Sequence, residues 1–190
     1  MPFAVGDPVE KPVSLYAATK RANELMAHCY THLFGISATG LRFFTVYGPW
    51  GRPDMAPFRF ARAIERGEHI DIYNYGRMQR DFTYVSDIVE GLLRVIECQP
   101  PGYRLYNIGN SAPVPLLEFV RAMERAFGRR ARRRYLPLQK GDVVATHADV
   151  EDFWRLTGFR PRTPVVEGVA KFVTWYREYY SGRAAMPGAA

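Results

Sequence analysis

The segment Ile36-Ser37-Ala38-Thr39-Gly40-Leu41-Arg42-Phe43-Phe44-Thr45-Val46-Tyr47 decides the fold of this chain. Its second half is apolar and β-branched and ends at Gly48-Pro49, which is the pattern of a buried strand. Residues 14–33 come just before it, and their apolar side chains recur at helical spacing as far as Gly35. Because a long helix followed by a buried strand is half of a parallel unit, the pattern predicts an α/β fold.

The rest of the chain alternates between helical and extended patterns in the same way. Gly and Pro residues mark most of the boundaries. The predicted elements are helix 57–66, strand 70–73, strand 80–85, a helix from about 88 to 98 opened by Asp87, strand 104–108, helix 115–127, the extended piece 135–137, helix 150–157 capped by Asp149, and helix 164 to about 179.

Length and composition limit the class of protein. With 190 residues, 47% of them hydrophobic, the chain is long enough for one domain with a real core and too short for two. It contains no run of 18 apolar residues and no leader-like N-terminus, so we expect a cytoplasmic protein without membrane spans. Cys29 and Cys98 are too few and too far apart for a disulfide scaffold, and we expect reduced, buried thiols and no metal.

The formal net charge of +7 is compatible with an anionic ligand, a nucleic acid or an acidic partner. Five arginines lie within residues 129–134, just after the helix end expected at Gly128. Blocks of like charge are usually solvated, and no zinc-finger spacing or RNA-recognition signature accompanies this one. Binding of nucleic acid is therefore the less expected reading.

The start of the first helix carries a phenol and an ammonium four residues apart, Tyr16 and Lys20. Residues i and i+4 lie about 40° apart around a helix and about 6 Å along it, so the two side chains share a face. A cation close to a tyrosine favours the phenolate, which can take a proton from an alcohol and return it. The spacing alone is also compatible with an ordinary helix that carries a surface lysine.

Residues 48–56 form a loop at the carboxyl end of the predicted strand, which is where open α/β sheets place their ligands. Arg52 lies in this loop and is a candidate anion clamp. Its position is equally compatible with an arginine in solvent.

Four motifs follow one another in the chain: Ser14-Leu15-Tyr16-xxx-Lys20, residues 41–56, residues 79–89 and Gly141-Asp142-Val143. In this order they resemble the extended short-chain dehydrogenase/reductase superfamily and its NAD-dependent epimerase/dehydratases. The nearest resemblance is to nucleotide-sugar epimerases that act on UDP-glucuronate, and it covers about residues 3–180. The second motif is the most diagnostic, because related galactose-type epimerases usually carry Asn where this chain has Thr45.

The resemblance implies NAD as cofactor, a UDP-sugar as substrate, and a role for each of several residues. It makes Tyr16 the general base for the sugar 4-hydroxyl and Lys20 its activator and a ligand of the nicotinamide ribose. The remaining implied roles are Thr45 and Arg52 on the uronate carboxylate, Phe43 and Phe44 on the nicotinamide side through their backbone, Asp71 and Tyr73 around the uracil, and Arg80 on the UDP ribose or diphosphate.

The sequence contains no Gly-x-x-Gly-x-x-Gly motif after an opening strand, which is the family's cradle for the NAD pyrophosphate. We therefore expect residues 1–180 to form the C-terminal half of an incomplete Rossmann-like fold with the substrate lobe, and residues 181–190 to form a disordered tail. Such a chain is expected to be inactive alone, not to bind NAD tightly, and to expose apolar surface. Self-association, as in a homodimer, or pairing with a separate Rossmann half would cover that surface.

Two other readings stay open from the sequence. One is a different enzyme of the superfamily, such as a nucleotide-sugar decarboxylase or 4,6-dehydratase, against which Thr45 and Arg52 argue. The other is a non-catalytic remnant that binds a sugar nucleotide or a partner protein.

Overall fold

The structure, a computed structural model, describes residues 1–184, with side chains as far as residue 180. The helices of this part of the chain are α1 Leu15–Phe34, α2 Ala56–Arg66, α3 Val85–Cys98, α4 Leu116–Phe127, α5 Glu151–Thr157 and α6 Val165–Ala184. Its strands are β1 Ala38–Phe43, β2 Thr45–Tyr47, β3 His69–Ile72, β4 Gln79–Arg80, β5 Phe82–Tyr84, β6 Tyr103–Ile108, β7 Val114–Pro115 and β8 Arg132–Tyr135, and a 3-10 turn covers Tyr73–Gly76.

The strand predicted over residues 38–47 is divided between two neighbours. β1 pairs in parallel with β6, and β2 pairs in parallel with β5. At the division, Phe44 donates its N–H to the carbonyl of Ile108 at 3.3 Å, and Thr45 donates its N–H to the carbonyl of Asp81 at 3.1 Å. The predicted parallel α/β arrangement is confirmed, whereas the single uninterrupted strand is wrong because the chain changes partner at Phe44.

Helix α1 begins and ends where the sequence predicts. Ser14 Oγ accepts the N–H of Ala17 at 3.2 Å, and Gly35 ends the helix in the left-handed region with φ 67°. Glu24 fastens α1 to β1, because its two carboxylate oxygens accept hydrogen bonds from Arg42 at 2.7 and 2.9 Å. These charge-assisted bonds lower the pKa of Glu24.

The apolar side chains of α1 do not reach a core. No residue of the helix is buried, and the exposed fractions of Leu25 and Leu33 are 52% and 69%. The face that approaches the sheet carries Glu24 and the ring of His28, which lies 5.5 Å from the ring of Tyr103 on β6. An apolar helix surface therefore faces away from the described residues, as the sequence predicts.

The main core lies in a second lobe, where β3 pairs in parallel with β8 and α2, α4 and α6 pack together. Its fully buried side chains include Ile64, Ile70, Ile72, Phe119, Val120, Met123, Val169 and Phe172. A smaller core joins α3 and α5 to β6 through Ile88, Val95, Ile108 and Phe153. Burial of aromatic and branched side chains at roughly 1.5–3 kcal/mol each stabilises both cores.

Helix α3 begins at Val85, three residues before the predicted start, and Asp87 does not open it. Asp87 lies in the first turn, where its Oδ2 accepts the N–H groups of Arg162 at 3.2 Å and Thr163 at 2.9 Å. The carboxylate therefore ties the segment before α6 to α3. Sequence reasoning assigned a local role to a residue whose hydrogen-bond partners are 75 and 76 positions away.

Three further predictions need correction. Cys29 and Cys98 are free and exposed rather than buried, because one lies on a helix that buries no residue and the other ends α3. The extended piece expected at 135–137 is a strand at Arg132–Tyr135, so most of the arginine run is structured. The last helix reaches Ala184, and residues 185–190 of the predicted tail lie outside the described residues.

Among residues 1–184, every helix is too short or too polar to cross a lipid bilayer.

Replacing Glu24 with Gln is expected to lower the free energy of unfolding at pH 7 by about 1–2 kcal/mol, because the Arg42 guanidinium loses its charged acceptor. The folded-state pKa of Glu24 is lowered, so its stabilisation is complete above the unfolded value of about 4.3 and is lost as the pH falls through the folded-state pKa. Urea denaturation at pH 7 and pH 3 measures both effects. Glu90→Gln, which removes an exposed i,i+4 pair with Arg94, is the control and should change stability by less than about 0.5 kcal/mol. Equal losses for the two variants at pH 7 would contradict the assignment.

Candidate active site

The predicted catalytic pair lies on the first two turns of α1. Tyr16 is 66% exposed, and the Nζ of Lys20 lies 5.4 Å from the centre of its ring. The two side chains therefore share one helix face, as the i,i+4 spacing predicts. Thr19 Oγ1 donates to the backbone carbonyl of Tyr16 at 2.8 Å, so the threonine side chain is held against the same helical turn. The phenol is accessible to a ligand from solvent.

Phe43, Phe44 and Thr45 lie at the point where the strand changes partner. Phe43 ends β1 and is 49% exposed, so its ring is available at the carboxyl edge of the β1/β6 pair. The N–H groups of Phe44 and Thr45 already donate to the carbonyls of Ile108 and Asp81. Neither N–H is therefore available to a ligand.

The loop at 48–55 is held against α6 by an aromatic contact. The ring of Trp50 lies 5.2 Å from that of Trp175, and its backbone φ is 62°, in the left-handed region. Gly48 also has a positive φ, 139°, and a side chain at this position would collide with Val85. Arg52 extends from this anchored loop and is exposed, with Nη2 3.2 Å from the sulfur of Met55.

No hydrogen bond within the described residues joins Thr45 to Arg52. The guanidinium of Arg52 lies 3.5 Å from the carboxylate of Asp54, and both side chains are more than two-thirds exposed. An ion pair this exposed is weak, so an incoming carboxylate can compete for the arginine. The pairing of Thr45 with Arg52 on one ligand stays a prediction.

Asp71 and Tyr73 lie at the carboxyl end of β3. The carboxylate of Asp71 accepts from Arg134 Nε at 2.7 Å and lies 3.9 Å from Arg59. The hydrogen bond from Arg134 lowers the pKa of Asp71. Tyr73 opens the 3-10 turn and is half-buried. Because the carboxylate of Asp71 is already bound, its side chain orients the two arginines at this edge.

Arg80 joins two of the sequence motifs. Its guanidinium donates to Asp142 Oδ1 at 2.7 Å and to the carbonyls of Gln79 and Val144 at 2.8 and 3.2 Å. The side chain is 15% exposed, so its geometry is well defined. The ion pair brings residues 79–89 and the Gly141-Asp142-Val143 segment together, although 62 positions separate the two residues.

Asp81 is fully buried and holds two segments, 110–111 and 146–148, beside Arg80. Its carboxylate accepts the backbone N–H groups of Asn110, Ser111 and Ala148 at 2.9, 3.1 and 2.9 Å, and its own N–H donates to Thr146 Oγ1 at 3.1 Å. Burial raises the pKa of Asp81, and the three N–H bonds act in the opposite direction. These two segments are thus fixed to the residue that follows Arg80 by a single side chain.

The described residues fit one end of a dinucleotide better than the other. The accessible pair Tyr16 and Lys20 can meet a ribose and its neighbouring ring. The left-handed glycines Gly35, Gly67, Gly128 and Gly158 each end a helix rather than open one. The loop between the parallel strand β2 and helix α2 carries Gly48 and Gly51 but not the Gly-x-x-Gly-x-x-Gly spacing of a pyrophosphate cradle.

Sequence reasoning missed several residues that shape this site. Asp142 binds the predicted residue Arg80, and Arg134 binds the predicted residue Asp71. Asp81 fixes the backbone next to Arg80. Both Asp81 and Asp142 lie inside motifs that the sequence singled out, so their position was a signal. For Arg134 the only signal in the sequence was its place in the arginine run at 129–134.

Residues 3–109 match the model of the "NAD dependent epimerase/dehydratase family". A "Probable UDP-glucuronate 4-epimerase" from Rhizobium meliloti is 47% identical over 198 residues, which cover 95% of this chain and 58% of the relative. The chain spans 45–59% of the length of the curated relatives it matches.

Two solved structures are similar in fold and in sequence. "MoeE5 in complex with UDP-glucuronic acid and NAD" has a TM-score of 0.88 at 37% identity, covering 94% of this chain and 60% of that one. The UDP-glucuronic acid 4-epimerase from Bacillus cereus, in complex with UDP-glucuronic acid and NAD, has a TM-score of 0.88 at 29% identity, covering 95% of this chain and 58% of that one.

Replacing Asp81 with Ala is expected to lower the free energy of unfolding by about 3 kcal/mol or more. The N–H groups of Ser111 and Ala148 lose their acceptor, and that of Asn110 keeps only Thr83 Oγ1 at 3.0 Å. Asp81→Asn keeps one acceptor oxygen and should cost less. Thermal and urea denaturation measure the change. Asp152→Ala is the control, since this carboxylate is 66% exposed and forms only a surface pair with Arg155. A loss for Asp81→Ala no larger than that of the control would show that the carboxylate does not hold these segments.

Proposed function

The chain belongs to the NAD dependent epimerase/dehydratase family. We propose that it forms part of a nucleotide-sugar 4-epimerase that interconverts UDP-glucuronate and UDP-galacturonate. The observation that carries the proposal is the accessible pair of Tyr16 and Lys20 on one face of α1. The identity of 47% to a relative named as a probable UDP-glucuronate 4-epimerase supports the choice of sugar. The cytoplasmic location stays a prediction.

Tyr16 is the proton acceptor in this proposal. Its phenolate takes the proton of the sugar 4-hydroxyl as that carbon is oxidised, and the phenol returns the proton when the carbon is reduced. Lys20 is on the same face and stabilises the phenolate by its charge. Inversion at C4 requires the oxidised sugar to present its other face before it is reduced.

NAD, when bound, supplies the hydride acceptor and donor for this oxidation and reduction. Tyr16 and Lys20 would hold its nicotinamide ribose, and Phe43 and Phe44 would lie beside the ring. Because the described residues offer no pyrophosphate cradle, tight binding of the cofactor is not expected from them alone.

In this proposal the substrate is held at three places. Thr45 and Arg52 bind the uronate carboxylate, since a guanidinium on an anchored loop suits a planar carboxylate. Arg80, with the segment around Asp142, binds the UDP ribose or diphosphate. Asp71 and Tyr73 line the space for the uracil, and Asp71 contributes by orienting Arg134 and Arg59.

Ligand-detected NMR with UDP-glucuronate, with and without NAD, tests this function. Signals of the 4-epimer that appear only with NAD, and that disappear in Tyr16→Phe, would support catalysis by this chain. Binding without turnover would assign it the role of a sugar-nucleotide-binding part. If neither UDP-glucuronate nor UDP-galacturonate bound at millimolar concentration, the proposal would fail for this chain.

Arg52→Ala is expected to change the product as well as the rate. A 4-keto uronate is a β-keto acid and loses carbon dioxide readily, and a firm grip on its carboxylate opposes that loss. The variant should weaken UDP-glucuronate binding about tenfold or more and raise the proportion of pentose product wherever turnover is seen. NMR of the products gives the ratio, and Arg94→Gln on α3 is the exposed control. An unchanged affinity and an unchanged ratio together would remove Arg52 from the site.

We also propose that the apolar face of α1 is covered by a second copy of the chain. Leu25, Met26 and Leu33 are each more than half exposed on this helix. Within the described residues β1 pairs only with β6, so its other edge is open. Exposed apolar surface beside an open strand edge favours association. A separate Rossmann-like chain that adds a strand to β1 is the competing occupant.

Sedimentation at tens of micromolar is expected to show a dimer or larger species. The double variant Leu25→Gln and Leu33→Gln should shift the distribution towards monomer, because it removes apolar area from the association surface. Val166→Gln, which changes an equally exposed side chain on α6, should leave the distribution unchanged. A clean monomer for the unmodified chain would contradict self-association and leave the separate partner chain as the alternative.

A further inference from the structure

We propose that a cavity at the carboxyl end of α4 binds a small oligophosphate, that is, two or three linked phosphate groups on an inorganic or nucleotide carrier. We call it the arginine cavity. Its volume is about 280 Å³. It is lined by Arg121, Glu124, Arg125, Gly128, Arg129 and Arg130.

The arginine cavity has a strong excess of positive charge. Four of its six lining residues are arginines, and its one acidic residue is Glu124. Both oxygens of Glu124 already accept hydrogen bonds from Arg133 at 2.9 Å, and one also accepts the N–H of Ala131. The carboxyl end of a helix contributes only about half a negative charge. The arginines therefore determine the sign of the potential.

Much of the hydrogen-bonding capacity in the cavity is unused. Among the described residues, the side chains of Arg125 and Arg130 form no hydrogen bond and no ion pair. Arg129 uses Nη1 to donate to the carbonyl of Glu65 at 2.8 Å, which fixes the side chain and leaves its other N–H groups available. The contact of Arg121 with Glu118 is long, at 3.6 Å, and half-exposed, so it is easily replaced.

The chemistry and the size of the cavity together favour an oligophosphate. A guanidinium presents a planar fork of donors that matches phosphate oxygens two at a time. A volume of about 280 Å³ is slightly below the range of about 300–1,000 Å³ that is usual for drug-sized ligands. It suits a compact, multiply charged group, whereas a nucleic-acid strand would need a longer track of cations.

The arginine cavity is separate from the candidate active site. Arg132 pairs with His69 at the start of β8 and β3, and these parallel strands end towards Tyr73. The cavity residues precede β8 and lie at the amino ends of this strand pair. Asp71 and Tyr73 lie towards the carboxyl ends, so a ligand in the cavity would not occupy the proposed substrate site.

Isothermal titration of the full chain with sodium tripolyphosphate tests this proposal. At an ionic strength of about 0.01 M, where screening is weak, we expect one site per chain. The double variant Arg125→Gln and Arg130→Gln should weaken binding about a hundredfold, since each lost charge-assisted contact is worth roughly tenfold. Both side chains are exposed and unpartnered, so circular dichroism should show an unchanged fold.

Two control variants locate the site. Arg94→Gln removes an exposed arginine elsewhere and should keep tripolyphosphate affinity within about twofold, a spread smaller than one lost contact. Arg80→Gln removes the arginine proposed to meet the UDP ribose or diphosphate and should weaken tripolyphosphate binding less than the double variant does. Loss of binding in Arg80→Gln but not in the double variant would move the anion to the candidate active site and overturn the proposal. Absence of binding to the unmodified chain would also overturn it, as would binding of duplex DNA in preference to tripolyphosphate. None of these outcomes depends on epimerase activity.

Discussion

The buried carboxylate of Asp81 is the interaction on which the rest of the structure depends. It binds backbone N–H groups from the turn after β6 and from the segment that leads into α5. The backbone carbonyl of Asp81 accepts the N–H of Thr45, where the chain passes from β1 to β2. One residue therefore joins the strand pair that supports α1 to the lobe that is proposed to hold the nucleotide.

This constraint fixes the positions of several candidate site residues. Before Phe44 the chain pairs with β6 as β1, and after Phe44 it pairs with β5 as β2. The loop that carries Arg52 directly follows β2. Arg80 immediately precedes Asp81, so fixing the carboxylate also fixes the arginine and, through it, Asp142. A motion that separated these segments would have to break buried, charge-assisted bonds.

The many arginines divide into two groups with different physical roles. Arg42, Arg133 and Arg134 bind carboxylates and connect neighbouring elements, so their charge is locally neutralised. Arg125 and Arg130 have no such partners among the described residues and contribute to the surface potential instead. The formal charge of +7 does not distinguish the two groups, since a structural arginine and a ligand-binding arginine count equally in it.

Features that depend on near neighbours along the chain could be predicted from the sequence. Helix α1, its cap at Ser14 and its end at Gly35 follow from local hydrogen bonding, and the shared face of Tyr16 and Lys20 follows from helix geometry. Only the tertiary structure decided the break at Phe44 and the contacts of Asp71 with Arg134 and of Asp81 with Ala148, which span 63 and 67 positions. Such contacts depend on how whole helices and strands pack together. The spacing of residues along the sequence does not show which distant residues come into contact.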